Sequence, residues 1–161
     1  MAHMQARTIQ TETMTLRELT VKYSIRTDAS GQPVVVGRSL LLPSDAATAF
    51  SAMLSDEPSE VFAMICLSTK YRVIAYHEVT RGTIDATLVH PREVFRAAIL
   101  ANAAAIVVAH NHPSGDPVPT LDDTLITTRL ASAGVLLGIE LLDHIIVGEG
   151  RYFSFKEAGR L

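Results

Sequence analysis

The stretch that decides the fold runs from Ala105 to Asp123 and reads AIVVAHNHPSGDPVPTLDD. Its first part, Ala105–His110, is a short, continuous apolar run, typical of a strand in the middle of a sheet. Three prolines and a glycine follow, so the chain leaves this strand through a stiff loop. Thr120 then suits the N-cap of a helix, with Asp123 in the first helical turn. The stretch therefore predicts a strand, a loop and a helix, in that order.

The sequence on either side predicts an alternation of strands and helices. The predicted elements are a helix capped by Ser44 or Asp45 and ending near Ser55, a hairpin of strands Val61–Thr69 and Arg72–Thr80, a helix over 90–105, a helix from Leu121 closed by Gly134, and final strands over 139–148 and 152–155. This order favours an α/β fold with a single mixed central sheet flanked by helices. Residues 1–40 are predicted to be an irregular segment with a lead-in strand, and residues 41–161 the folded domain; the opening MAHM resembles a cloning remnant.

The composition is that of one ordinary globular domain. The chain has 161 residues, of which 48% are hydrophobic and 19% charged. No apolar run approaches the roughly 20 residues that cross a bilayer, and the N-terminus lacks a secretory pattern. We therefore expect a cytoplasmic protein. Cys66 is the one cysteine, which excludes an internal disulfide and suits a buried apolar position.

The charge of the chain weighs against nucleic-acid binding. Lys and Arg number 14 against 17 Asp and Glu, for a formal net charge of −3. Proteins that hold nucleic acid through its phosphates usually carry a basic segment or patch. A nucleic-acid partner is therefore compatible with the sequence only through a patch formed on folding.

The pair of histidines in the loop has the geometry of a metal site. Pro113 biases His112 towards an extended conformation, and residues i and i+2 of an extended chain point to the same side. His110 and His112 should therefore project together from the end of the strand. Asp123, in the first turn of the next helix, points back towards the loop and could be a third ligand. Three protein ligands and an open position for water are what a catalytic zinc needs.

Each of these residues also has an ordinary structural interpretation. A T-x-x-D pattern is often only a helix cap, so residue spacing alone leaves a polar turn and a metal site equally open. Asp116 suits turn chemistry, and Asp122 suits the positive end of the helix dipole. The letters HNH also name a class of nucleases, but in those enzymes the three residues are spread along a module and are not contiguous.

With this loop as its centre, the sequence resembles a known family. AHNHPSGDPVPTLDD resembles the H-x-H-P…[ST]-x-x-D core of the JAMM (JAB/MPN) metalloprotease-like domains, and more closely the RadC family. The flanking stretches RGTIDATLVHPREVFRAAILANAAAIVVAHNHPSG and LLDHIIVGEGRYFSFKEAGRL are similar to RadC throughout. The resemblance covers about Ser44–Leu161 and implies a cytidine deaminase-like/MPN architecture. It is closest to the short members that lack the N-terminal helix-hairpin-helix.

The resemblance assigns roles to particular residues. It implies that His110, His112 and Asp123 bind one Zn²⁺ with water as the fourth ligand, and that Thr120 helps to stabilise an oxyanion. JAMM enzymes also use a glutamate from an earlier strand as general base. Glu60 matches best because it directly precedes the apolar strand.

Two other glutamates compete for that role. Glu78 could instead be an exposed residue of the hairpin, and Glu93 could instead be a charged residue in the first turn of a helix. The three remaining histidines of the domain, His77, His90 and His144, are expected to be structural.

Three functions follow from this resemblance. The first is a zinc-dependent hydrolase of the JAMM metallopeptidase type, which cleaves a peptide or isopeptide bond. The alternative is a DNA-repair or mobile-element accessory protein that acts on or near DNA without proteolysis. The third is a scaffold without catalysis, which loss of ligands would favour; here the complete ligand set is present. The resemblance indicates no particular substrate or oligomeric state.

Overall fold

A computed structural model describes residues 22–27, 30–31, 39–82 and 89–161 of the chain. Its elements are α1 (Pro43–Leu54), β1 (Val61–Leu67), β2 (Val73–Arg81), α2 (Pro91–Leu100), β3 (Ala105–Asn111), α3 (Leu121–Leu137), β4 (Glu140–Val147) and β5 (Tyr152–Ser154). In these residues, no helix is long and apolar enough to span a membrane. Most of residues 1–40 lie outside the described residues, so the irregular segment with its lead-in strand and the boundary at residue 40 stay predictions.

The five strands form one mixed sheet in the order β2-β1-β3-β4-β5. β1 pairs antiparallel with both β2 and β3, and β4 pairs antiparallel with β5. β3 and β4 are parallel, and the chain crosses between them through α3. The predicted α/β class, the hairpin of β1 and β2, and the central position of β3 are all confirmed.

Helices cover both faces of the sheet. On one face, α1 packs Phe50 and Leu54 against alternate residues of β1 and β3, such as Ile65 and Val107. On the other face, α2 and α3 pack against the intervening residues of the same strands. That second cluster includes Phe62, Met64, Ile106, Val108, Phe95, Ile126 and Leu130. β1 and β3 are buried on both sides, which explains why their sequences are continuously apolar rather than alternating.

Three helix ends differ from the predictions: the start of α1 and the ends of α2 and α3. α1 begins at Pro43, before the predicted caps, and the Asp45 carboxylate accepts hydrogen bonds from the backbone N–H groups of Leu41 and Leu42. Proline lacks an N–H and so suits a first helical position. α2 ends at Leu100 rather than near residue 105, because Asn102 adopts a left-handed φ of 52° that turns the chain towards β3.

Gly134 does not close α3, which continues to Leu137 and ends at Gly138 with a left-handed φ of 68°. Gly134 has a different role, because a Cβ there would lie 2.5 Å from the backbone oxygen of Ile139. The N–H of Ile139 also donates to the Gly134 carbonyl, at 3.0 Å. Glycine therefore lets the chain pass close to the helix as it enters β4.

Cys66 lies in β1 with 1% of its surface exposed, as the sequence predicted. Burial raises the pKa of its thiol to about 11. We expect native protein at pH 8 to be inert towards an aromatic disulfide reagent, because the thiolate is the reactive form. The denatured chain should release one equivalent of chromophore, read by absorbance. Prompt reaction of the native protein would contradict the burial of β1.

Candidate metal centre

The candidate centre lies at one edge of the sheet, where the start of β1, the end of β3 and the N-terminus of α3 meet. β1 and β3 are antiparallel, with Phe62 paired to His110, so the start of β1 lies beside the end of β3. This pairing places Glu60, which precedes β1, next to the loop that follows β3. The N-terminus of α3 returns to the same edge and carries Asp123.

Four side chains converge at this edge. Nε2 of His110 lies 3.0 Å from Nε2 of His112, 3.0 Å from Oδ1 of Asp123 and 4.0 Å from Oε1 of Glu60. Oδ2 of Asp123 is 3.6 Å from Nε2 of His112. One ligand atom from each of Glu60, His110 and His112 fits within 4.8 Å, so these three residues could hold a metal ion. Two imidazoles with a carboxylate are donors that suit zinc.

Thr120 and Asp123 form the predicted capping box of α3. Oδ2 of Asp123 accepts hydrogen bonds from the backbone N–H and the hydroxyl of Thr120, each at 2.7 Å, and Oγ1 of Thr120 accepts from the N–H of Asp123. These bonds hold one carboxylate oxygen and leave Oδ1 facing His110. A structural cap and a metal ligand are therefore compatible roles for Asp123. The oxyanion role of Thr120 stays a prediction.

The loop after β3 fixes the orientation of His112. The backbone N–H of His112 donates to the carbonyl of Val147 at 2.9 Å, and that of Glu149 donates to the carbonyl of Gly115 at 2.9 Å. Nδ1 of His112 lies 2.7 Å from the backbone carbonyl of Asp116. A carbonyl can only accept, so Nδ1 carries the proton and Nε2 is turned towards the cluster. Asp116 also makes the predicted turn, with its carboxylate accepting from the N–H of Val118.

Charges within the cluster shift the pKa values of its members. Burial alone would raise the pKa of Asp123, but hydrogen bonds from His110, His112 and Thr120 hold it far below its usual range. The hydrogen bond to Asp123 raises the pKa of His112, against the opposing effect of burial. Burial, followed by the charge of His110, lowers the pKa of His144 well below its usual range, so this ring is neutral. The carboxylate is therefore ionised and able to bind a cation at neutral pH.

Asn111, which lies between the two histidines in the sequence, organises the segment that carries Glu60. Its Oδ1 accepts a hydrogen bond from the buried N–H of Val61 at 2.8 Å. Its Nδ2 donates to the backbone carbonyls of Glu57 and Ser59, at 3.2 and 3.0 Å. One side chain thus binds the backbone on both sides of Glu60.

We expect Asn111→Ala to lower the free energy of unfolding by about 2–4 kcal/mol, because it leaves a buried N–H without its acceptor and two carbonyls without their donor. Urea denaturation followed by circular dichroism would measure the change. Ser114→Ala is the matched control, since Ser114 is exposed in the same loop and only its long 3.4 Å contact with the N–H of Asp116 would be lost. Equal stability of the two variants would contradict the role of Asn111.

Of the three candidate glutamates, only Glu60 belongs to the cluster formed by the described residues. The carboxylate of Glu78 is paired with Arg81 at 2.8 Å. Glu93 is paired on α2 with Arg96 at 2.8 Å and with Arg92 at 3.3 Å. The competing glutamates are therefore engaged in ion pairs at the protein surface, and Glu60 is the one that contacts a histidine of the site.

Sequence reasoning missed the connection of His144 to the site. His144 was expected to be structural, and it is fully buried in β4, but its Nε2 lies 2.8 Å from Nδ1 of His110. Its Nδ1 lies 2.6 Å from Oγ1 of Thr127. The only signal in the sequence is a histidine within the otherwise apolar end of a strand. By contrast, His90 has the structural role that was predicted. It is the N-cap of α2, and its Nδ1 accepts a hydrogen bond from the N–H of Arg92.

A polar groove of about 480 Å³ adjoins the cluster at His112. It lies between the segment before β1, the loop after β3 and the turn between β4 and β5. Its described walls include Asp56, Glu57, Asn111, Pro113, Gly148 and Glu149, with no Lys or Arg. The volume is within the range of small-molecule and peptide side-chain sites, so the groove could admit a substrate beside His112.

The fold and the site together define a class of protein. A mixed sheet covered on both faces, with a His-x-His-Pro loop beside a helix that carries an Asp in its first turn, is the arrangement expected of a JAB domain. Residues 40–160 match the RadC-like JAB domain. The chain belongs to this family, as the resemblance implied.

Curated relatives of the chain come from both bacteria and archaea. It is 55% identical over 102 residues to the UPF0758 protein of Thermotoga maritima, covering 63% of this chain and 46% of the relative. It is 49% identical over 123 residues to the UPF0758 protein of Xanthomonas campestris, covering 76% and 55%. With the UPF0758 protein of Methanosarcina barkeri, the identity is 42% over 122 residues, covering 76% and 53%. The chain therefore spans about half the length of the curated relatives it matches.

Proposed function

We propose that this domain is a zinc-dependent hydrolase that cleaves a peptide or isopeptide bond with an activated water molecule. The observation that carries the proposal is the convergence of His110, His112, Asp123 and Glu60 at one sheet edge beside an open groove. In our assignment, the two imidazoles and Oδ1 of Asp123 hold the ion, and Glu60 carries out the acid–base chemistry. When bound, zinc lowers the pKa of a water molecule towards 7 and polarises a carbonyl.

Glu60 supplies the proton transfers in this proposal. Its side chain is partly exposed, at 21%, beside the fully buried side chain of His110, so it is open to both water and substrate. Its carboxylate would accept a proton from the attacking water and return it to the leaving nitrogen. The bonds from Asn111 to the backbone around Glu60 restrict where that carboxylate can go.

Thr120 can assist only after a rearrangement of its hydroxyl group. A hydroxyl has one proton, and that of Thr120 is donated to Asp123. To stabilise an oxyanion, the hydroxyl must turn from Asp123 towards the substrate. The backbone N–H of Thr120 would then still hold Oδ2 of Asp123.

The groove favours a polypeptide over nucleic acid as the substrate. Phosphates are bound mainly by Lys and Arg, and the described residues that line the groove include neither. Glu57 is paired with Arg81, and the carboxylates of Asp56 and Glu149 on the same walls would repel a phosphate chain. Peptide and isopeptide groups carry no such charge and can bind through the exposed polar atoms of the walls.

The test is a screen of fluorogenic peptides and lysine isopeptides with zinc-loaded protein, with a chelator and after zinc is restored. We expect cleavage that the chelator abolishes and zinc recovers. The matched variant is Asp123→Asn, which keeps the geometry of the helix cap but removes the negative charge. We expect it to lose both zinc binding and cleavage. Full cleavage by metal-free protein would overturn the proposal, and so would no cleavage of any substrate by protein shown to hold zinc.

A further inference from the structure

A chain of buried hydrogen bonds runs behind the candidate metal centre. It leads from Nδ1 of His110 to Nε2 of His144 at 2.8 Å, and from Nδ1 of His144 to Oγ1 of Thr127 at 2.6 Å. Oγ1 of Thr127 then lies 2.5 Å from the backbone carbonyl oxygen of Asp123. The chain thus begins at a proposed ligand on β3 and ends at the residue on α3 that carries another proposed ligand.

The chemistry of the last contact sets the direction of the whole chain. The Asp123 carbonyl can only accept, so at 2.5 Å the hydroxyl proton of Thr127 must lie between the two oxygens. Nδ1 of His144 therefore donates to Thr127, which leaves Nε2 of the neutral ring as an acceptor. Nδ1 of His110 donates to that acceptor, so Nε2 of His110 is the nitrogen that faces the cluster and can bind a metal ion.

The surroundings leave this chain without a substitute partner. His110 and His144 are 0% exposed and Thr127 is 1% exposed. The ring of Phe155 stacks on His144 at 5.0 Å, and that of Phe62 meets the same ring edge-on at 5.5 Å. A polar group that loses its partner inside such an apolar enclosure stays unsatisfied.

We propose that His144 and Thr127 are positioning residues that hold His110 in the tautomer with its proton on Nδ1, which presents Nε2 to the metal ion. This inference rests on the metal centre of the proposed function, but not on which bond is hydrolysed. Outer hydrogen-bond partners of metal-binding histidines commonly fix the tautomer and ring orientation of the ligand. Here the outer partner is a second histidine, and its own partner lies on the helix that carries Asp123.

The first test measures zinc affinity by competition with a chromophoric chelator. His144→Leu removes the acceptor, and we expect zinc affinity to fall about 10–100-fold. His144→Gln offers an amide oxygen near the former Nε2 and should recover most of the affinity. Thr127→Val should weaken binding in the same direction, and Thr127→Ser should restore it. Ile126→Val, a buried apolar change one residue away, is the control for a general loosening of α3 and should leave the affinity unchanged.

The second test needs no variant and reads the tautomer directly. In zinc-loaded wild-type protein, long-range ¹H–¹⁵N correlation spectra should show His144 with its proton on Nδ1 and a bare Nε2. A proton on Nε2 of His144 would overturn the proposal, whatever the behaviour of the variants. Unchanged zinc affinity in a folded His144→Leu or Thr127→Val protein would also overturn it.

These tests separate failure of the inference from failure of the metal centre. If His112→Ala binds zinc as tightly as the wild type, the metal centre itself is wrong. If His112→Ala loses zinc but the His144 and Thr127 variants do not, only the positioning role is wrong. Neither outcome depends on knowing a substrate.

Discussion

His112→Ala is expected to lower zinc affinity by more than about 100-fold. This is a larger loss of affinity than that usually caused by removing a residue that hydrogen-bonds to a metal ligand. The variant removes one of two imidazoles whose Nε2 atoms lie 3.0 Å apart. The His112 side chain is 13% exposed at the mouth of the site, unlike the fully buried His110, so its loss leaves little cavity. The free energy of unfolding of the metal-free protein should therefore change by less than about 2 kcal/mol.

Zinc content by elemental analysis and affinity by chelator competition would measure the first effect, and urea denaturation the second. His90→Ala is the matched control, because it removes an exposed histidine that accepts a hydrogen bond from the N–H of Arg92 at the start of α2. It should keep one zinc ion per chain. Equal zinc binding by the two variants would exclude His112 as a ligand.

Glu60→Gln is expected to lower kcat by about 10²–10⁴-fold, the usual contribution of a general acid–base residue, on any substrate that the screen identifies. An amide keeps the size and hydrogen bonding of the side chain but cannot take a proton. Zinc content should stay at one ion per chain, because two histidines and Asp123 remain. Steady-state kinetics on protein of measured zinc content would check both parts.

The same variant distinguishes the two ways in which the cluster could bind zinc. Glu60, His110 and His112 also form a three-ligand set by distance alone. If Glu60→Gln loses zinc while Asp123→Asn retains it, Glu60 is the third ligand and the roles proposed for the two carboxylates are reversed. Glu78→Gln is the control for loss of a carboxylate, since Glu78 is paired with Arg81 away from the cluster.

The elements that could be predicted are those whose signal is local. The continuous apolar runs of β1 and β3 follow from burial on both faces. The start of α3 can be predicted from Thr120 and Asp123, because the side chain of each residue hydrogen-bonds to the backbone N–H of the other. The shared direction of His110 and His112 follows from extended backbone. For the helix cap and the histidine pair, the atoms concerned belong to one short stretch of chain.

The predictions that were wrong concern where helices begin and end. Gly134 looks like a helix terminus because glycine often ends helices, but the approach of Ile139 requires it inside α3. The end of α2 depends on how Asn102 redirects the chain into the sheet. Both helix ends depend on how the chain turns from the helix into the next strand, and the residue type alone does not specify that turn.

The alternation of strand and helix patterns along the chain was enough to predict the α/β class. The strand–loop–helix core and the histidine pair with its aspartate could be predicted because they lie within one short stretch, Ala105–Asp123. Only the tertiary structure decided that Glu60, rather than Glu78 or Glu93, lies at the histidines, since that follows from the antiparallel register of β1 and β3. It also brought His144 behind His110, through the parallel pairing of β3 with β4. The physical reason is that strand register joins residues far apart in the chain, and register depends on the packing of the whole sheet.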